Sequence, residues 1–193
     1  MTSHIIFAGV DEAGRGCICG DVVVAAVILD PSKKIIGLND SKKITENKRK
    51  ILFDEIIEKS LAFSIKYINS KTIDKLNILQ ASLVGMKKAV EGLKVKPKIV
   101  YVDGNHAPQL NMPVVKVIKG DQLIQSISAA SILAKVARDQ QMIDLHEKYP
   151  QYGYQSHKGY PTKFHLEKLS QYGILDCYRK TYKPIRELIQ NGQ

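Results

Sequence analysis

Apolar residues in the first thirty positions fall into short runs. Ile5, Ile6, Phe7, Ala8 and Val10 make one, and residues 21–29, rich in valine, make another after a glycine-containing stretch at 14–20. Runs of this length and β-branched content predict two strands, and the short connection predicts an antiparallel pair. Helical spacing follows over residues 42–60, where Leu52 with Ile56 and Phe53 with Ile57 are four apart, Thr45 can cap, and Glu55 precedes Lys59 by one turn. Residues 62–68 alternate in part and predict a third strand; residues 72–93 predict one or two helices.

Two further short strands are predicted at 98–102 and 114–118, each running into an aspartate: Asp103 before Gly104, and Asp121 after Gly120. The connection between them is close to the ~12-residue minimum of a parallel crossover, so the pair is expected to be parallel. Residues 122–149 read as one long helix whose Ser128, Ala129, Ala130, Ser131, Ala134 and Ala137 permit close packing on a sheet. Seven of the nine tyrosines then follow from Tyr149 onward, interleaved with Lys158, Lys163, Lys168, Arg179, Lys180 and Lys183. No internal repeat or low-complexity linker divides the chain.

Composition narrows the class. At 193 residues with 44% hydrophobic content, the chain fits one domain with a real core. No apolar run approaches the ~18 residues of a membrane span, and no leader pattern precedes Ile5, so a cytoplasmic location is expected. Lys plus Arg number 29 against 19 acids, a net charge of +10. That favours a polyanionic partner, or else describes a lysine-rich solvated surface. Three cysteines, Cys17, Cys19 and Cys177, suit neither a disulfide framework nor a cysteine zinc site.

The adjacent acids Asp11 and Glu12 end the first apolar run. If the strands leading to Asp11, Asp103 and Asp121 are parallel, all three acids emerge at one carboxyl edge, where open α/β sheets place their ligands, with Glu12 beside them. Clustered carboxylates repel unless a cation intervenes, and an all-oxygen donor set favours Mg²⁺ or Mn²⁺ over zinc. Asp139 competes for such a site. It lies 18 residues beyond Asp121, which on a continuous helix means the same face but about 27 Å away. On that geometry Asp121 belongs to the site and Asp139 has a structural or supporting role. A basic protein with an acidic centre suggests two-metal phosphodiester hydrolysis.

Six stretches in order carry a family resemblance: GVDEAGRG at 9–16, LNDSKK at 38–43, VDGN at 102–105, KGD at 119–121, SAASILAKVARD at 128–139 and HKGYPT at 157–162. In these the chain closely resembles bacterial type 2 ribonuclease H. The resemblance implies an α/β ribonuclease H-like fold, a five-stranded mixed sheet flanked by helices with a helical C-terminal extension. It implies a catalytic region over 1–150 and a substrate-binding extension over 151–193, packed as one unit. The implied activity is Mg²⁺- or Mn²⁺-dependent endonucleolytic cleavage of RNA in RNA:DNA hybrids and 5′ to ribonucleotides embedded in duplex DNA, leaving 5′-phosphate and 3′-hydroxyl ends.

By motif match Asp11, Glu12, Asp103 and Asp121 correspond to the metal-binding catalytic acids. Gly14, Arg15, Gly16 and Tyr160 correspond to the sensor of the 2′-hydroxyl, the group that separates RNA from DNA. Ser41, Lys42 and Lys43 resemble a phosphate-contacting loop, and Arg179, Lys180 and Lys183 are either phosphate contacts or a solvated face. Cys17 and Asp21 stand where relatives often carry proline. The start lies too near Asp11 for the N-terminal substrate domain of type 3 enzymes, and RELIQNGQ lacks an aromatic sliding-clamp motif. A monomer without an obligate protein partner is expected. The alternative is a catalytically silent nucleic-acid-binding protein of the same fold.

Overall fold

The computed structural model describes residues 5–39, 41 and 43–192. Strands β1 (Phe7–Ala13) and β2 (Val22–Leu29) are followed by helix α1 (Glu46–Lys59) and strand β3 (Ser60–Ile68). Thr45 caps α1, its hydroxyl accepting the Lys48 N–H, so this helix starts later than the apolar spacing suggested. Helices α2 (Ser70–Leu76) and α3 (Ile78–Glu91) follow, separated by Asn77, whose side chain caps α3 by accepting the Gln80 N–H. Strands β4 (Ile99–Asp103) and β5 (Val114–Val117) complete a sheet ordered β3-β2-β1-β4-β5.

The sheet is mixed. β1 pairs antiparallel with β2 and β2 antiparallel with β3, whereas β4 runs parallel to both β1 and β5, as expected. Its two faces bury separate apolar sets. Ala8, Val10, Val24, Ala26 and Ile28 pack with Met86, Ala89 and Val90 of α3. Ala25 and Val27 pack on the other side with Leu52 and Ile56 of α1 and with Ala129, Ala130 and Leu133 of the long helix α5 (Gln125–Lys148). The small residues of α5 let its backbone touch the sheet: a Cβ at Gly9 would lie 2.2 Å from the Ser126 carbonyl carbon.

The predicted single helix over 122–149 is two helices. A short α4 (Gly120–Leu123) ends at Ile124, whose extended backbone (φ −125°, ψ 115°) interrupts the helical path before α5 begins. The Ser128 hydroxyl donates to the carbonyls of Asp121 and Ile124, bonding the corner. No glycine or proline marks the break.

After α5 come a 3₁₀ turn (Pro150–Tyr152) and helices α6 (Tyr154–His157), α7 (Lys163–Tyr172) and α8 (Lys183–Gln190). Tyr152, Tyr154, Leu169, Tyr178 and Ile185 form an apolar cluster that also takes in Ile18, Cys19 and Met142, so the C-terminal helices pack on the loop after β1 and on the end of α5. Among the described residues no helix is long and apolar enough to cross a membrane.

Candidate active site

Register puts the first two acids together. Val10 pairs with Val102 in the parallel β1–β4 ladder, so Asp11 and Asp103, one residue on, are neighbours at the carboxyl edge. Asp11 and Glu12 do not sit in a turn: β1 continues through both, pairing them with Ala25 and Val24 of β2. Alternation along the strand therefore sends them to opposite faces. Asp11 is buried on the α5 side, while Glu12 borders a small recess with Leu83 and Met86 of α3 and ion-pairs with Arg15 at 2.9 Å.

Burial, reinforced by the charges of Glu12 and Asp103, pushes the Asp11 carboxyl well above the usual carboxylate range. The Ser131 hydroxyl and the Glu12 amide oppose that shift, the amide donating to Asp11 Oδ1 at 2.7 Å. Such a group favours a cation beside it. Asp103 Oδ1 accepts the Gly120 N–H at 2.6 Å, which fastens the end of β4 to α4 and holds Asp121, in the first turn of α4, at the same edge.

The break at Ile124 overturns the reasoning that set Asp139 aside. α5 does not leave the carboxyl edge; it begins beside Gly9 and advances along β1, so that Arg138 reaches Gly14. Asp121 and Asp139 consequently line one cleft of about 390 Å³, together with Asp11, Glu12 and Asp103. The ~27 Å separation required a continuous helix. Asp139 pairs with Lys135 of its own helix at 2.6 Å.

Gly14, Arg15, Gly16 and Tyr160 line the same cleft. A Cβ at Gly16 would sit 3.7 Å from the Tyr160 ring, so the two segments face each other closely. Two buried histidines support this wall. His165 Nδ1 donates to the Tyr160 carbonyl at 2.8 Å, and its Nε2 accepts from the Tyr178 hydroxyl at 2.9 Å. His157 accepts the Gly159 N–H and donates from Nε2 to the Tyr152 carbonyl, and its ring stacks on that of His165 at 3.7 Å. Burial lowers both, His165 to about 4, so both rings are neutral.

Other expected contacts are arranged differently. Ser41 lines the cleft but is itself buried, its hydroxyl 2.9 Å from that of Ser131. It thus braces the residue that bonds Asp11 rather than presenting a free phosphate donor. Lys43 is exposed beside α4 and donates to Gln122 at 3.2 Å, and Lys42 falls outside the described residues. Arg179 is no surface cation: it is fully buried, donating to the carbonyls of Gly20 and Arg15 and to the Tyr182 hydroxyl. Lys183 is an exposed partner of Glu187, and the Lys180 N–H is taken by Asp74.

Ser131, Lys135, Arg138 and Lys158 also line the cleft, with Ala13 and Cys17. The spacing 131, 135, 138 and 139 repeats at i, i+4, i+7 and i+8, a polar stripe that begins within the small and apolar stretch 126–137 of the helix. The spacing is visible in the sequence, set among small residues that bring the helix close to the sheet.

The donors facing the cleft are carboxylate oxygens, which suit Mg²⁺ or Mn²⁺. Among the described residues no three acidic, histidine or cysteine side chains are gathered tightly enough to enclose an ion.

Comparison with known proteins gives one answer. The ribonuclease HII family signature matches residues 8–185. The chain is 57% identical to ribonuclease HII of Alteromonas mediterranea over 187 residues, covering 97% of this chain and 98% of that one. The crystal structure of ribonuclease H2 from Pyrococcus horikoshii OT3 superposes with a TM-score of 0.85 at 28% identity, over 96% of this chain and 98% of that one. Bst ribonuclease HIII, crystallised with Mn²⁺, shares the fold with a TM-score of 0.78 at 16% identity, over 98% of this chain and 70% of that one. A five-stranded mixed sheet with acids at its carboxyl edge, and this agreement over nearly the whole length, make the chain a member of the ribonuclease HII family, an endoribonuclease of the ribonuclease H type that hydrolyses phosphodiester bonds.

Proposed function

We propose that this enzyme cleaves the RNA strand of RNA:DNA hybrids, and duplex DNA on the 5′ side of an embedded ribonucleotide, leaving 5′-phosphate and 3′-hydroxyl ends. The observation that carries the proposal is the single cleft lined by Asp11, Glu12, Asp103 and Asp121 and by Gly14, Arg15, Gly16 and Tyr160. Groups suited to cations and groups suited to a ribose are then within one nucleotide's reach.

Asp11, Glu12, Asp103 and Asp121 would hold two divalent ions, Mg²⁺ or Mn²⁺. When bound, these supply the Lewis acidity that activates water and stabilises the leaving 3′ oxygen. The chain's own residues orient the substrate. Glycine at 14 and 16 brings the backbone close to the sugar, and Tyr160 offers a ring and a hydroxyl to the 2′ position. Lys135 and Lys158 offset the acids and attract the phosphodiester, and Lys43 stands where it can meet a neighbouring phosphate. Residues 151–193 serve as the substrate-binding extension, supplying Lys158 and Tyr160. All of these groups come from one chain, so the reading needs no second subunit.

An end-labelled DNA duplex with one ribonucleotide tests it, incubated with Mg²⁺, with Mn²⁺ or with EDTA beside an RNA:DNA hybrid and an all-DNA control. A metal-dependent cut 5′ to the ribonucleotide and in the hybrid, absent from the all-DNA duplex, is the expected result. Binding without cleavage in either metal would instead describe a silent binder.

A further inference from the structure

The two segments that face the ribose meet over one buried guanidinium. Arg138 lies on the polar stripe of α5, two turns beyond Ser131, and only 2% of it is exposed. Its Nη2 donates to the Cys19 carbonyl at 2.8 Å. Three glycines crowd it: a Cβ at Gly14 would lie 2.7 Å from Nε, one at Gly159 3.0 Å from Nη2, and one at Gly20 3.1 Å from Nη2. Three glycines from two separate loops thus make room for one side chain. All three also have positive φ (93°, 87° and 73°), so side chains there would be strained as well as crowded.

The contacts join the loops in register. Gly159, pressed on the guanidinium, accepts the Ile18 N–H at 2.9 Å through its carbonyl and is followed directly by Tyr160. Gly14, pressed on the same group, begins the turn that brings Gly16 opposite the Tyr160 ring.

Fold stability alone does not explain the choice of arginine. Among the described residues its Nε and Nη1, both buried, have no hydrogen-bond partner and it forms no ion pair, although its charge acts on the Asp21 carboxyl and opposes the effect of burial there. Enclosing a cation with two unmet donors is unfavourable, and an uncharged side chain of similar volume would fill the space without that cost. What such a side chain lacks is a rigid planar fork with fixed reach.

We infer that Arg138 is a positioning residue for ribonucleotide recognition, its guanidinium setting the gap between the backbone at 14–16 and Tyr160. The inference rests on the 2′-hydroxyl reading proposed above for those segments. Arg138 does not touch the ribose; it fixes the distance between the two groups that do.

Arg138→Lys tests this, because it keeps the charge and most of the stem and loses the fork; Arg138→Met keeps only volume. Expected for Arg138→Lys is a fall of about 10- to 100-fold in kcat at a single ribonucleotide, the scale of a ~1 Å misplacement. Affinity for the duplex and the thermal midpoint should stay close to wild type. Independently of activity, amide hydrogen exchange should quicken at residues 15–20 and 158–160 but not in β1 or the middle of α5. Wild-type kcat in Arg138→Lys, or unchanged exchange in both loops, overturns the inference. So does quickened exchange throughout the protein with a lowered midpoint, which would mark Arg138 as structural only. A wild-type protein that cleaves nothing would defeat the proposed function, while the exchange measurement would still decide whether Arg138 spaces the loops. If Arg138→Met does not fold, the lysine variant alone decides.

Discussion

The two ends of β1 and β4 face very different cavities. At the amino end, Ile5, Phe7, Ile99, Tyr101 and Leu61 line an apolar hollow of about 1070 Å³. At the carboxyl end the same two strands contribute Asp11, Glu12 and Asp103 to a cleft of about 390 Å³. The larger and more apolar cavity is not the one that gathers the acids. Parallel strands deliver their last residues to one edge, and the loops and helices that follow bring in Asp121, Tyr160 and the lysines; at the amino edge β1 and β4 begin, and the antiparallel β2 ends in the loop that rims the hollow. Cavity size reports how well side chains fill space, whereas polarity and convergence report function.

Substitutions at the two ends should separate accordingly. Asp103→Asn has the largest expected effect, a loss of cleavage of roughly 10³-fold or more, because a carboxylate proposed to hold the divalent ion is replaced by a neutral amide at a site where charge would develop. Duplex binding, followed by fluorescence anisotropy, should change little. Cleavage near wild type would remove Asp103 from the reaction.

Acid should loosen the carboxyl end first. His165 has its pKa lowered to about 4 by burial, and His157 is shifted the same way. The unfolded chain takes up these protons near pH 6.5, so below that pH the unfolded state binds more protons than the folded one. The stabilisation is therefore complete above about pH 6.5 and is lost as the pH falls toward 4, by roughly 2–3 kcal/mol for His165 at the lower limit. Denaturant midpoints between pH 7.5 and 4.5 would measure it. His165→Asn, which keeps a donor toward the Tyr160 carbonyl, should flatten the slope; an unchanged slope would place the titration elsewhere.

Tyr160→Ala should reduce kcat at a single ribonucleotide about 10- to 100-fold, as expected for losing one group that orients the reacting sugar. Affinity for all-DNA duplex should be nearly unchanged, and an equal loss in both would contradict a role at the 2′ position. Phe7→Ala, at the apolar end, should cost least. Phe7 is 41% exposed and meets Tyr101 edge-on at 5.4 Å, so its loss is expected to lower stability by about 1 kcal/mol and leave kcat alone. A large fall in activity would mean that the two ends communicate.

Local pattern carried much of this architecture. Short β-branched runs marked the strands, Thr45 marked the start of α1, and the aspartates after two short runs pointed to a shared edge. The ordered motifs from residue 9 to residue 162 carried the family. Side-chain destinations were harder to read. Ser41 and Arg179 looked like polar surface groups, yet one is bonded to Ser131 behind Asp11 and the other clamps the carbonyls of Arg15 and Gly20. A polar residue in a sequence carries no sign of whether its partner is water or a carbonyl over a hundred positions away.

The sequence by itself determined the order of strands and helices up to the long helix after β5, and membership of the ribonuclease HII family, because periodicity, glycine punctuation and motif spacing are local properties of the chain; the shared acid edge was conditional on parallel strands, which the β1–β4 and β4–β5 ladders supply. Tertiary structure alone decided that the helix breaks at Ile124, that Asp139 returns to the cleft with Asp121, and that Arg138 joins the two loops facing it. Ile124 carries no local breaker signal. The corner is bonded locally by Ser128 and set by the fit of α5 against Gly9, more than a hundred positions away, a contact that no local pattern displays.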